Sequence, residues 1–213
     1  MWQNYHPITY LADIAGLVAG LGARRLAVIG TSLGGWLAMS LPAFLPGIVA
    51  GVILNDIGPE IDPVGIARIK SYAGNQPPVL NWDEAVAQLR VVFGAAWPGL
   101  SDDTWTRLAR RSYREDATRT PILECDPKVG EALRAAPAVA RDLWPLWAQL
   151  GTLPVLAIRG VLSDILSAST FARMQREKPD LVPLTVAARG HMPLLDEPEC
   201  LAAIDAFLAR LAY

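Results

Sequence analysis

Residues 26–55 form a run of thirty without a single charged side chain. A run of that length can cross a bilayer as one helix. Here it is broken by Gly30, Gly34-Gly35, Pro42 and Pro46-Gly47. Glycine and proline at those intervals interrupt a continuous helix, but they punctuate two short buried strands joined by a helix. Strands of a parallel sheet covered on both faces read as unbroken apolar runs rather than alternating ones. The stretch therefore predicts a strand over 26–30 (LAVIG), a helix from about Leu33 that is disturbed at Pro42, and a strand over 48–54 (IVAGVIL).

The rest of the composition narrows the class. With 213 residues, 52% apolar and 19% charged, the chain can bury a sizeable core, and it suits one domain carrying a sub-domain insertion. A net charge of −2 provides no electrostatic attraction for nucleic acid or an anionic membrane, so neither is expected as a partner. Cys125 and Cys200 are far apart, and no Cys/His cluster has zinc spacing, so no metal and no disulfide framework are expected. The N-terminal segment MWQNYHPITY lacks the basic-then-apolar pattern of a signal peptide. A cytoplasmic location is the expectation.

Charge is unevenly distributed. Residues 60–150 hold 23 of the 40 charged residues, eight of the 17 prolines and five of the seven tryptophans. That block reads as a mostly helical insertion, a lid, between two parts of an α/β core at 1–59 and 151–213. Further strands are predicted over 154–159 (PVLAIR) and 181–187. Tyr10, Ile14, Leu17, Val18 and Leu21 share one face of a first helix that ends at Gly22. Leu201, Ile204, Phe207, Leu208 and Leu211 face inward from a closing helix over 198–212, which starts at Pro198. Strands alternating with helices predict a parallel sheet of about four strands flanked by helices.

Within this frame the sharpest chemical signal is Gly30-Thr31-Ser32-Leu33-Gly34-Gly35, directly after the LAVIG strand. A serine hydroxyl becomes a useful nucleophile when a sharp strand-to-helix turn presents it to a base. Such a turn needs small residues two positions to either side, here Gly30 and Gly34. The backbone N–H of Leu33 opens the helix and faces the developing oxyanion. A bland reading, a glycine-rich turn packing a helix on a sheet, competes with this. Two acids follow predicted strands: Asp164 after PVLAIR and Asp56 after IVAGVIL. Asp164 is the preferred partner of a histidine, with helix capping as its alternative, and Asp56 is its rival. Of the two histidines, His191 lies in a loop between the last strand and the last helix and is the candidate base. His6 has no such setting.

The order Ser32, Asp164, His191, together with GTSLGG, RGVLSD and GHMPLLDEPE, resembles the α/β-hydrolase superfamily. NDIGPEID and LWPLWAQLGTLPVLAIRG are similar to a bacterial branch near the enol-lactone and carbon–carbon bond hydrolases. The resemblance covers residues 5–211. It implies a partial α/β-hydrolase fold with Ser32 as nucleophile, His191 as base, Asp164 as orienting acid and 60–150 as a helical cap. Serine at position 32 sets the chain apart from epoxide hydrolases and haloalkane dehalogenases, which use aspartate there. The family places several strands and a second oxyanion donor ahead of the nucleophile strand. Here Ser32 follows 31 residues, so an N-terminally shortened core without that second donor is expected. The 26–30 strand is then an open edge, expected to pair with a second copy of the chain.

In the middle block Trp82, Trp97, Trp144 and Trp147 have two readings: helix packing, or an apolar roof over the serine. The functional expectation is an esterase- or lactonase-like serine hydrolase acting on a small apolar substrate, an ester, a lactone or an activated carbon–carbon bond, without cofactor. The alternative is a non-catalytic, ligand-binding member or an inactive, truncated remnant of the same fold.

Overall fold

A computed structural model of the chain describes residues 4–136 and 142–211. The first helix, α1 (Pro7–Gly20), starts with proline at its first turn, and His6 caps it by accepting from the Ile8 N–H. Strand β1 (Leu26–Thr31) leads directly into α2 (Leu33–Phe44), which contains Pro42, and β2 (Val49–Asn55) follows. The middle of the chain supplies α3 (Pro63–Tyr72), α4 (Trp82–Phe93), α5 (Asp102–Ser112), a hairpin of β3 (Tyr113–Glu115) and β4 (Pro121–Leu123), α6 (Lys128–Ala135) and α7 (Trp144–Gln149). Then come β5 (Val155–Gly160), α8 (Ala168–Glu177), β6 (Val182–Val186) and α9 (Pro198–Arg210).

The main sheet is parallel throughout, in the order β1-β2-β5-β6. Each strand begins within one residue of its predicted start and ends within one residue of its predicted end. Apolar side chains fill both faces, as the unbroken runs require. Val52, Leu54, Val155 and Ala157 join α1, α2, α7 and α8 in one cluster. Ile53, Leu156, Ile158 and Val186 point the other way, onto Cys200, Phe207 and Leu211. Truncating a fully buried side chain of this kind, such as Ile158, costs about 2–5 kcal/mol. Among the described residues β1 pairs with β2 alone and forms one edge of the sheet.

Two helix faces depart from their sequence patterns. In α1 the buried residues are Leu11 and Val18, with Tyr10 and Ile14 partly buried, whereas Leu17 is 62% exposed and Leu21 is exposed too. A helix lying on one corner of a sheet buries a narrower stripe than its full apolar face. In α9 Cys200 and Phe207 take the innermost positions and Leu201 turns outward. Position 212 of the predicted closing helix lies outside the described residues. The hairpin β3-β4 was not expected from sequence. Its two strands have three residues each, too short to show a period.

A separate apolar cluster sits in the middle block, built from Val79, Leu89, Trp97, Trp105 and Tyr113. It also takes in Met192 and Leu194, so it is continuous with the loop that follows β6. No helix among the described residues is long and apolar enough to cross a membrane.

Candidate active site

The site is built at the carboxyl ends of the strands, where α/β sheets place their functional loops. Ser32 sits between β1 and α2 with φ 51° and ψ −119°. A non-glycine residue in that region stores strain of order 1–3 kcal/mol. Neighbouring contacts hold it there. The Ser32 N–H donates to the Asn55 carbonyl at 3.2 Å, and the Ser32 carbonyl accepts from the Gly35 and Trp36 N–H groups as α2 begins. Two of the surrounding glycines, Gly30 and Gly35, are sterically required, whereas a Cβ on Gly34 would meet nothing within 4 Å, so the sequence expectation of a small residue there is not a packing demand. A Cβ on Gly30 would collide with the Gly34 backbone, and one on Gly35 would collide with the Ile57 side chain. Gly30→Ala is therefore expected to lower stability by about 1–3 kcal/mol, the usual cost of overpacking, as read from thermal unfolding. An unchanged melting temperature would contradict this packing. Leu33 is the first residue of α2, so its N–H belongs to the unpaired donors of a helix start.

His191 reaches this turn from the loop between β6 and α9. Its Nε2 lies 3.1 Å from Ser32 Oγ, and its Nδ1 lies 2.8 Å from Asp56 Oδ2. The ring is 7% exposed and Asp56 is fully buried, at 0%. A carboxylate facing Nδ1 selects the tautomer that carries its proton there, which leaves Nε2 free to accept from the serine hydroxyl. Asp56 is itself fixed by other donors. The Gly160 N–H donates to Oδ1 at 2.9 Å, and Ser163 Oγ donates to Oδ2 at 2.5 Å. Ser32, His191 and Asp56 thus form one continuous hydrogen-bonded chain.

The sequence expectation for the acid is corrected by this geometry. Asp164 does not face His191 Nδ1. It is paired in two places with Arg68 of α3, with Nε donating to Oδ2 at 2.5 Å and a terminal nitrogen donating to Oδ1 at 2.9 Å. The Arg68 guanidinium holds the Asp164 carboxyl below the usual carboxylate range. The reason lies in sheet order. β2 is the immediate neighbour of β1, so the residue just past β2 sits beside the nucleophile turn. The turn after β5 contributes Ser163 to the site, as a donor to Asp56, and turns Asp164 toward α3.

The four candidate pocket tryptophans also separate. Trp147 is buried in the main core. Trp144 lies under the Arg173 guanidinium at 3.6 Å. Trp82 lies under Arg110 and donates to Glu115. Trp147 and Trp82 are packing residues, whereas Trp144, packed against the main core, also lines a cavity with Asp62, Asp142, Ser169 and Arg173. Trp97 alone touches the site's framework: its Nε1 donates to the Met192 carbonyl at 2.7 Å, and the neighbouring Ala96 carbonyl accepts from the Gly190 N–H at 2.6 Å. The corner after α4 therefore grips the peptide on both sides of His191. Sequence reading missed Ala96, Ser163 and Asn55, whose contacts are backbone-mediated or lie far away along the chain.

An ion pair between half-buried Arg189 and buried Glu197 closes the same loop. Arg189 Nε donates to Glu197 Oε1 at 2.6 Å, and the Leu194 N–H donates to the same oxygen at 3.1 Å. Burial pushes the Glu197 carboxyl up, but the Leu194 and Glu197 N–H groups and Arg189 outweigh it and leave the group below its ordinary range. A lowered folded-state value means that the stabilisation is fully present above the unfolded carboxylate value of about 4.3. It is lost as pH falls through the lower, folded value. The melting temperature is thus expected to drop on acidification below about pH 4.3, and to drop less steeply in Glu197→Gln. Equal slopes in calorimetric scans would contradict this.

Among the described residues no group of three His, Cys, Asp or Glu side chains is placed to hold a metal ion. A sequence model of the alpha/beta hydrolase family matches residues 2–204. The chain belongs to the alpha/beta hydrolase family. It is 28% identical over 206 residues to 3-hydroxybutyrate-oligomer hydrolase of Cupriavidus necator, covering 93% of this chain and 70% of that protein. It is 26% identical over 209 residues to 2-(acetamidomethylene)succinate hydrolase of Mesorhizobium japonicum, covering 96% of this chain and 72% of that one. An alpha/beta hydrolase from Novosphingobium aromaticivorans, known from a crystal structure, superposes with a TM-score of 0.90 at 39% identity, over 99% of this chain and 74% of that chain. Both curated relatives are hydrolases, which supports a hydrolytic activity for this family member.

Proposed function

We propose that the chain is a serine hydrolase in which Ser32 is the nucleophile, His191 the general base and acid, and Asp56 the orienting carboxylate. The observation that carries this reading is the unbroken hydrogen-bond chain from Ser32 Oγ through both ring nitrogens to a fully buried carboxylate. Ser32 Oγ attacks the substrate carbonyl carbon while His191 Nε2 takes its proton. Asp56 stabilises the imidazolium, and the Leu33 N–H faces the oxyanion. The tetrahedral species expels the leaving group, an alkoxide or an activated carbanion, which takes the proton from Nε2. Water, deprotonated by the same nitrogen, then releases the acid and restores Ser32.

The substrate class proposed is a small ester or lactone, with an activated carbon–carbon bond as the related alternative. The hydrolase named for 3-hydroxybutyrate oligomers among the relatives supports an ester, so short 3-hydroxybutyrate oligomers are the first compounds to test. Residues 60–150 act in this reading as a helical cap, resting on the histidine loop through Ala96 and Trp97. Hydrolysis of p-nitrophenyl acetate, p-nitrophenyl butyrate and a 3-hydroxybutyrate dimer, measured against Ser32→Ala, tests the proposal. Turnover that depends on Ser32 supports it. A folded chain with no Ser32-dependent turnover of any of the three compounds contradicts the substrate class.

A further inference from the structure

Asn55, the last residue of β2, is 1% exposed and immediately precedes Asp56. Its side chain is not simply core filler. Nδ2 donates to the Pro193 carbonyl at 2.9 Å and to Thr31 Oγ1 at 3.2 Å. A peptide carbonyl only accepts, so the nitrogen of the amide must be the atom facing Pro193. Thr31 is the residue before Ser32, and Pro193 is two residues after His191. The Asn55 main-chain carbonyl in turn accepts from the Ser32 N–H. One buried side chain and its own backbone therefore touch the segments that carry Ser32 and His191, while the next residue supplies the carboxylate. These segments are 24 and 138 residues from Asn55 along the chain, so the join is purely tertiary.

Accepting the proposed roles of Ser32 and His191, we infer that Asn55 is a positioning residue, a staple that fixes the separation between the serine and the imidazole. The gap of 3.1 Å between Ser32 Oγ and His191 Nε2 depends on two loops that meet only at the mouth of the sheet. Arg189, Glu197, Ala96 and Trp97 fix the outer side of the histidine loop. On the described contacts, Asn55 is the side chain that ties its inner side to β1. Proton transfer tolerates little displacement, and a shift of 1 Å costs about 10²-fold in rate. The two bonds donated by Nδ2 tie the loops to each other directly, while Oδ1 is buried with no partner among the described residues.

The test compares Asn55→Ala and Asn55→Leu with the parent. Readouts are the rate of covalent labelling of Ser32 by a fluorophosphonate, kcat and KM for a p-nitrophenyl ester, and the melting temperature. Leucine keeps most of the volume and removes the donors. The staple predicts labelling and kcat lowered about 10–100-fold, with KM changed less than threefold, in protein that remains folded at the assay temperature. Val155→Ala, a core truncation in β5, serves as the control for stability alone: it lowers the melting temperature but leaves the labelling rate of folded protein as in the parent. A purely structural Asn55 would behave like Val155→Ala, and labelling of both Asn55 variants within twofold of the parent overturns the staple. If neither Asn55 variant folds, Thr31→Val removes the acceptor on the serine side, and an unchanged labelling rate there overturns it equally. Failure of the parent itself to label at Ser32 overturns the nucleophile assignment and the staple together, whereas normal parent labelling with normal variant labelling overturns the staple alone.

Discussion

Ser32→Ala is expected to lower kcat for a short ester by about 10⁶, the loss seen when a triad nucleophile is removed from an otherwise intact site. Alanine removes only the hydroxyl. The backbone at position 32 is held at φ 51° by the Asn55 carbonyl and by the first turn of α2, neither of which depends on the side chain. The fold, the Leu33 N–H and the orientation of His191 all survive. What disappears is the covalent route, so residual turnover reflects binding and general-base attack by water alone. KM is expected to change little. A Ser32→Ala protein within tenfold of the parent would show that the reaction does not pass through this serine.

The second large effect separates the two carboxylates. Asp56→Asn is expected to reduce kcat by about 10⁴. The introduced amide can keep its oxygen on the Gly160 N–H, the donor that the native carboxylate uses, but its nitrogen then faces His191 Nδ1. That nitrogen donates where the carboxylate accepted, so the ring proton moves to Nε2. The ring can then no longer accept from Ser32. The loss arises from the tautomer rather than from misfolding, and a near-parental melting temperature is expected alongside it. Asp164→Asn is expected to change kcat less than tenfold, because its carboxylate is turned onto Arg68. Its cost falls on the contact between α3 and the turn after β5. Steady-state kinetics of the two variants side by side decide the matter. Asp164→Asn losing as much as Asp56→Asn would return the acid role to Asp164.

The sequence made the sheet legible because parallel strands covered on both faces leave continuous apolar runs, and 48–54 and 154–159 are such runs. The turn at Ser32 was legible because steric demand fixes Gly30 in place, although Gly34, read the same way, has room for a Cβ. The acid was not. Asp56 and Asp164 both follow a strand, and chain order says nothing about which strand lies beside the nucleophile. That choice is made by the β1-β2-β5-β6 pairing, a tertiary fact. The preference for Asp164 follows the order of the family resemblance, whereas β2 lies next to β1. Tryptophans are ambiguous for another reason. An indole fills a helix interface as readily as a pocket wall, and cation–π partners such as Arg173 and Arg110 come from remote parts of the chain. Asn55 was invisible because a polar residue ending an apolar strand has no pattern of its own. Only the meeting of Thr31 and Pro193 reveals its use.

The most direct test is mass spectrometry of the intact protein and its peptides after brief exposure to a fluorophosphonate. A single adduct on the peptide containing Ser32 is predicted, formed at comparable rates in the parent and in Asp164→Asn, much more slowly in Asp56→Asn and His191→Ala, and not at all in Ser32→Ala. No adduct on the folded parent, or an adduct on another residue that persists in Ser32→Ala, would contradict the assignment of Ser32, His191 and Asp56 as one catalytic unit.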